Sequence, residues 1–119
     1  MATRQQELRD RTKKFALEIL RLYRLLPYRA DAYVLGKQLI RSGTSVAANY
    51  RAACRGRSKR EFIAKIGIVV EEADETVFWL ELLQESGLVN AEAFSGVLKE
   101  ARELTAIFTA SYLTSRANR

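Results

Sequence analysis

Arg41-Ser-Gly-Thr-Ser-Val-Ala-Ala-Asn-Tyr-Arg-Ala-Ala-Cys-Arg-Gly-Arg-Ser-Lys-Arg-Glu-Phe62 is the stretch on which the fold turns. It begins with small residues at helical spacing, passes through a burst of positive charge, and closes on Ser58-Lys-Arg-Glu61. That last pattern is a capping box, in which a serine hydroxyl takes a free amide of a first helical turn and a glutamate reaches back. Gly56, just before it, is the natural left-handed cap for a preceding helix. One helix therefore ends and another begins within a few residues, which makes a helical hairpin. The small side chains let another backbone come close, and the arginines and lysine present a surface for anions. No residue in the stretch has the setting of a catalyst, so it points to a binding or assembly module.

The helix leading into this stretch is predicted over 31–54. At roughly 100° per residue, Leu35, Leu39, Val46, Tyr50 and Ala53 fall within about a quarter of its circumference. Lys37, Arg41, Arg51 and Arg55 gather on the opposite side, with Thr44 and Ala48 between them. Gly43 costs this helix about 1 kcal/mol relative to alanine. Flanked by apolar turns, it implies a kink or a close helix contact rather than a break. Asn49, at the edge of the buried face, is expected to bond across the bundle.

Upstream, Leu8, Phe15, Ile19, Leu22 and Leu26 form one apolar stripe and predict a helix over 5–26. Pro27 disfavours the α conformation for Leu26 and should stop it there. Arg11, Lys14, Glu18 and Arg21 fall on another, solvated side. Downstream, Phe62, Ile66, Val69, Ala73, Val77, Leu80 and Leu83 predict a helix over 58–86, broadened by Ile63, Val70 and Phe78. Such a helix is central in a bundle or shares a face with another subunit. Gly87 ends it, Asn90 is a good N-cap, and Phe94, Val97, Ala101, Leu104 and Phe108 carry a fourth helix from 90 to about 113, with a fraying tail. Four helices with short connections predict a single all-α domain over 1–119, an antiparallel up-down four-helix bundle.

Composition narrows the function. Of 119 residues 48% are hydrophobic and one is proline, which favours a single packed core over disorder. Residues 1–60 carry fifteen Lys/Arg against four Asp/Glu, a net of +11, and residues 61–119 carry five against ten, a net of −5. That asymmetry suggests an anionic partner for the basic half, or contact between unlike faces of neighbouring copies. Histidine is absent, which removes the commonest general base and the commonest metal ligand. The lone Cys54 cannot form an internal disulfide and fits a reducing, cytoplasmic setting. The polar start Met-Ala-Thr-Arg-Gln-Gln-Glu argues against a signal peptide, and no apolar run reaches membrane-spanning length.

The acids Glu71, Glu72, Asp74 and Glu75 invite a metal reading, yet di-metal bundles draw on Glu-x-x-His pairs. With no histidine, and Glu18 the only acid well inside the first two helices, such a site does not assemble. The acids are expected to be solvated or paired with arginines of another helix, with Glu75 the candidate for a buried pair. Cys54 lies among Arg51, Arg55 and Arg57, which could lower a thiol pKa, but it has no base beside it. A small buried residue is the simpler reading. The basic set Lys37, Arg41, Arg51, Arg55, Arg57, Lys59 and Arg60 has the stronger signal. Arginine forks match phosphate geometry, and the N-terminus of the third helix adds amides and a favourable dipole.

The middle of the chain, roughly Leu20 to Leu83, resembles the four-helix-bundle proteins encoded in intervening sequences of bacterial large-subunit ribosomal RNA genes. The residues that carry the resemblance are Pro27, Tyr33 and Leu35, then Gln38-Leu39-x-Arg41, then Ser45-Val-Ala-Ala-Asn49. Arg57-Ser58-x-x-Glu61-Phe62 and the mid-helix Glu75 complete it. The resemblance implies a homo-oligomer, a ring-shaped homopentamer with a central pore, with no enzymatic activity and no cofactor. A related branch serves diversity-generating retroelements, which implies RNA or DNA, or a reverse transcriptase or other nucleic-acid enzyme, as partner of a basic surface. Two departures stand out: Arg51-Ala52-Ala53 where the family commonly has Glu-Gly, and Glu71-Glu72 where it often has Gly-Ser. Both would strengthen subunit pairing as readily as RNA binding. Two functions follow: a basic face that binds nucleic acid or its enzymes, or a protein scaffold whose basic face is used in subunit contacts.

Overall fold

A computed structural model describes residues 2–118. Four helices follow one another, α1 (Arg4–Tyr23), α2 (Ala30–Cys54), α3 (Lys59–Glu85) and α4 (Ala91–Ala117), with no strand among the described residues. Packing is most extensive between α2 and α3, then between α3 and α4 and between α1 and α2; α1 and α4 meet over the least surface. The core is built from the expected stripes. Phe15, Ile19 and Leu22 of α1, Leu39, Val46 and Tyr50 of α2, Ile66, Val69, Leu80 and Leu83 of α3, and Phe94, Leu104 and Phe108 of α4 are all buried. The Tyr50 and Phe108 rings lie 5.0 Å apart and tilted, joining α2 to α4. Leu26, Leu35, Phe62 and Val77 pack at the margin of this core and are only half-buried. Phe78 points outward at 52% exposure, edge-on to Trp79.

Two helix ends differ from expectation. α1 stops at Tyr23, three residues short of Leu26. The last turn tightens instead, with Leu25 N–H donating to the Leu22 carbonyl (3.0 Å) and Leu26 N–H to that of Tyr23 (3.1 Å). Pro27 restrains Leu26 directly, and the residues before it close as a tighter turn of the kind that satisfies end carbonyls. α4 continues through Ala117, beyond the expected 113. No glycine or proline follows Gly96 to interrupt it, the Arg116 guanidinium lies 5.4 Å from the Tyr112 ring centre, and Lys59 donates to the Asn118 carbonyl. A lysine at that end also complements the helix dipole. The final tail residue, Arg119, lies outside the described residues.

The glycines divide by role. Gly56 is not left-handed; the only positive φ among the described residues is at Gly87 (79°), after α3. α2 closes through Arg55 and Gly56 N–H groups on the Ala52 and Ala53 carbonyls, and a Cβ on Gly56 would lie 3.1 Å from the Ala53 oxygen. Gly43 makes the close helix contact, since a Cβ there would lie 2.8 Å from Ile19 Cγ1. Gly36 does the same one level away, with Leu26 Cδ1 at 2.5 Å and the Tyr23 ring at 3.0 Å. α2 runs unbroken past both.

The core also contains three polar side chains that the apolar stripes gave no reason to expect, Thr12, Ser42 and Thr76. Thr12 donates back to the Leu8 carbonyl at 2.8 Å. Ser42 Oγ and Thr76 Oγ1 lie 2.9 Å apart and tie α2 to α3. Each also reaches a carbonyl of its own preceding turn, Leu39 at 3.4 Å and Glu72 at 2.7 Å, so burial leaves no polar atom unpaired.

Gly43→Ala gains about 1 kcal/mol of helix propensity, but overpacking against Ile19 costs about 1–3 kcal/mol. Gly96, in open space on α4, gains the propensity without the clash. Urea denaturation should show Gly43→Ala at or below wild-type stability and Gly96→Ala above it by up to about 1 kcal/mol. The reverse order would mean that α1 and α2 do not approach at Gly43.

Candidate nucleic-acid interface

The seven cations singled out in the sequence are all exposed, but they do not form one set. Arg41 is engaged. Its Nη2 lies 2.5 Å from Glu75 Oε1, its Nη1 3.2 Å from Glu72 Oε2, and its Nε donates to Gln38. Glu75, whose other neighbour is the Trp79 indole N–H at 3.3 Å, is thus the paired mid-helix acid, about one-third exposed (35%) rather than fully buried. The Arg41 guanidinium, outweighing partial burial, holds the Glu75 carboxyl below its ordinary range. Arg41 was expected to serve an external anion; here two carboxylates of α3 pair with it. Lys37, one turn before it, stands 5.3 Å from the Tyr33 ring centre.

Arg51 and Arg55 are different. Neither has a carboxylate within ion-pair distance among the described residues. Both line a groove of about 700 Å³ between α1 and α2, with Thr44, Ala47 and Ala48 also lining it. The opposite wall is Arg9 and Lys13 of α1, with Asp10 beside them. Arg9 and Lys13 were missed in the sequence. Their spacing of four residues, the same as that of Arg51 and Arg55, was the available signal. The α1 residues read as a solvated set include Arg11, which the fold uses otherwise: it grips Glu100 and Glu103 of α4 at 2.7 and 2.8 Å. Arg21 pairs with Glu18 in its own helix at 2.6 Å.

Arg57, Lys59 and Arg60 flank the start of α3. Ser58 Oγ accepts from Glu61 N–H at 3.1 Å, as a cap should. The Glu61 carboxylate, however, accepts from the Arg57 N–H at 2.7 Å and not from that of Ser58, so the box closes one residue further out. This carboxylate sits where an external anion was expected to use the helix end, so the N-terminus of α3 is partly spoken for. A complete box exists elsewhere, at Thr3 and Gln6 before α1. Phe62 follows, half-buried against the core.

Asn49 does not reach across the bundle. Its Nδ2 donates to the Ser45 carbonyl (3.0 Å) and Ser45 Oγ (2.7 Å), one turn back in the same helix. Half-buried at the edge of the face, it is satisfied within its own helix. Cys54 is a free, half-buried thiol. Burial, and then the neighbouring Cys54, push the Tyr50 phenol well up. Glu71 and Asp74 are exposed, and no cluster of His, Cys, Asp or Glu among the described residues is arranged to hold a metal ion. No described helix is long and apolar enough to cross a membrane.

The class this defines is an all-α four-helix protein with cations free of ion pairs lining one groove and flanking one inter-helix turn. Residues 4–110 match the family described as 23S rRNA-intervening sequence protein, and the chain belongs to that family. A crystal structure of a protein of unknown function from the S23 ribosomal protein family, from Bacteroides thetaiotaomicron, is 34% identical with a TM-score of 0.80, over 87% of this chain and 96% of that one. No curated protein matches the chain.

The Arg41–Glu75 pair sets a pH dependence. Because the folded-state carboxyl titrates below its ordinary value of about 4.3, the pair's stabilisation is present above that value and is lost as pH falls through the lower one. Glu75→Gln should cost about 0.5–1 kcal/mol at pH 7 for so accessible a pair. Urea midpoints of variant and wild type should converge once the pH falls below the lowered folded-state value. A gap that persists undiminished there would show that the carboxylate charge is not what stabilises.

Proposed function

We propose that the protein acts by binding rather than by catalysis, as an oligomeric four-helix bundle whose basic face takes nucleic acid. The observation that carries this reading is the set of cations without acidic partners, Arg51, Arg55, Arg57 and Arg60, gathered at the C-terminal part of α2 and the turn into α3. Holding like charges together without counter-charges costs stability unless an anion completes them. Guanidinium groups so placed make phosphate contacts that are strong, sequence-independent and salt-sensitive. The family's description refers to an intervening sequence of 23S rRNA, which agrees with an RNA setting. The short connections suit an antiparallel up-down arrangement, and the resemblance suits a homopentameric ring in the cytoplasm. A nucleic-acid enzyme such as a reverse transcriptase fits the same surface as a companion of the bound strand.

A second reading, a protein scaffold, draws on a different observation. Val34, Phe78 and Leu82 are exposed at 59%, 52% and 38%, on the two helices that carry Arg41 and Glu75. Apolar side chains there suit subunit contacts, and in this reading the basic face is used up in the assembly.

Electrophoretic mobility shift of RNA and DNA across a salt series separates the two. Binding should be clear near 50 mM salt, fall steeply by 200 mM, and drop at least tenfold when Arg51, Arg55 and Arg57 become alanine. Absence of any shift at low salt sinks the nucleic-acid reading. Sedimentation of Arg55→Glu should leave the oligomer unchanged; its dissociation would favour the scaffold.

A further inference from the structure

We infer that the groove between α1 and α2 is a seat for the phosphodiester backbone of a single nucleic-acid strand, with Arg9 and Lys13 as one wall and Arg51 and Arg55 as the other. This rests on the nucleic-acid reading above and adds to it a location, two residues of α1 and a strand preference. The groove lining holds four cations and one carboxylate, Asp10. The remaining lining residues, Thr44, Ala47 and Ala48, are short, so a backbone can sink between the cations.

Width selects the strand. Packed helices lie about 8–10 Å apart, axis to axis, so the furrow between them is narrower than even the roughly 12 Å major groove of a B-form duplex. A duplex can only lie across its rim, whereas one extended strand can enter. Along each wall, the four-residue spacing places the two cations about 6 Å apart. That separation spans one to two nucleotides at about 3.4 Å per nucleotide of a stacked strand. Base identity is not read. Non-specific single-strand grooves commonly stack bases on aromatic rings, and no lining residue here is aromatic. The contact is therefore made to phosphates, and its affinity is limited by the number of cations. Asp10 opposes it.

Fluorescence anisotropy with end-labelled oligouridylate, oligoadenylate and a duplex of equal length tests this on the full-length protein. Arg9→Gln/Lys13→Gln keeps the aliphatic stems, and circular dichroism checks that each variant is folded. The single strands should bind within about twofold of one another and at least fivefold tighter than the duplex. The α1-wall variant should lose tenfold or more, with the salt slope flattened by about 1.4 as two contacts of about 0.7 each are removed. Asp10→Asn should bind more tightly than wild type. Wild-type binding that survives Arg9→Gln/Lys13→Gln within twofold, or that favours the duplex, overturns the groove while leaving the basic face. Wild type that binds no probe at low salt overturns both.

Discussion

The close approach of α1 to α2 is the constraint from which the rest of the molecule follows. At Gly43 and again at Gly36, about two turns away, α2 presents bare backbone to Ile19 and Tyr23 of α1 and to Leu26 just beyond its end. A Cβ at either position would force these side chains to shift. With the two helices this close, Phe15, Ile19 and Leu22 sink into a shared interior with Leu39 and Val46. The same approach brings two rows of cations from different helices to the edges of one furrow. A packing requirement in the core thus sets the electrostatics of the surface, and neither row of charge would make a groove alone.

The buried hydroxyl pair plays the corresponding part on the other side of α2. Apolar packing is tolerant of sliding, because one methyl can replace another with little loss. Ser42 and Thr76 resist sliding, since theirs is the hydrogen bond that crosses from α2 to α3 in the core, worth about 0.5–1.5 kcal/mol net. Their 2.9 Å contact fixes the register of α2 on α3. That register sets Arg41 opposite Glu72 and Glu75, and it is why one arginine of the basic face is neutralised while Arg51 and Arg55, about three and four turns on, are not.

How much of this was legible in the sequence depends on the range of the interaction concerned. The stripes from Phe15 to Leu22, Leu39 to Ala53, Ile66 to Leu83 and Phe94 to Phe108 were readable because burial repeats with the period of a helix. Gly43 was readable as a close contact because apolar turns surround it, although Ile19 as its neighbour was not. The site was harder to read. A helical wheel places Arg41 and Arg51 on one face but cannot show that α3 brings two carboxylates to the first and none to the second. Arg9 and Lys13 stood beside Arg11 and Lys14, and their four-residue spacing alone could not tell groove from latch. Asn49 and Glu61 were assigned to the right segments and given the wrong partners, and Gly56 was given the wrong backbone conformation. Each depends on local backbone geometry rather than residue type.

The scant packing between α1 and α4 bears on how the chain reaches this structure. Nearly all helix packing joins elements adjacent in the sequence, so the loops to be closed are short and their entropic cost is small. Chains with such local wiring have low contact order, and helical ones fold within microseconds to milliseconds. The bundle can therefore grow from one hairpin to the next without waiting for its ends to meet. Arg11 spans the chain at its surface, pairing with Glu100 and Glu103 across 89 and 92 residues. With so little packing against α4, the wall bearing Arg9 and Lys13 is tied to the fold mainly through α2.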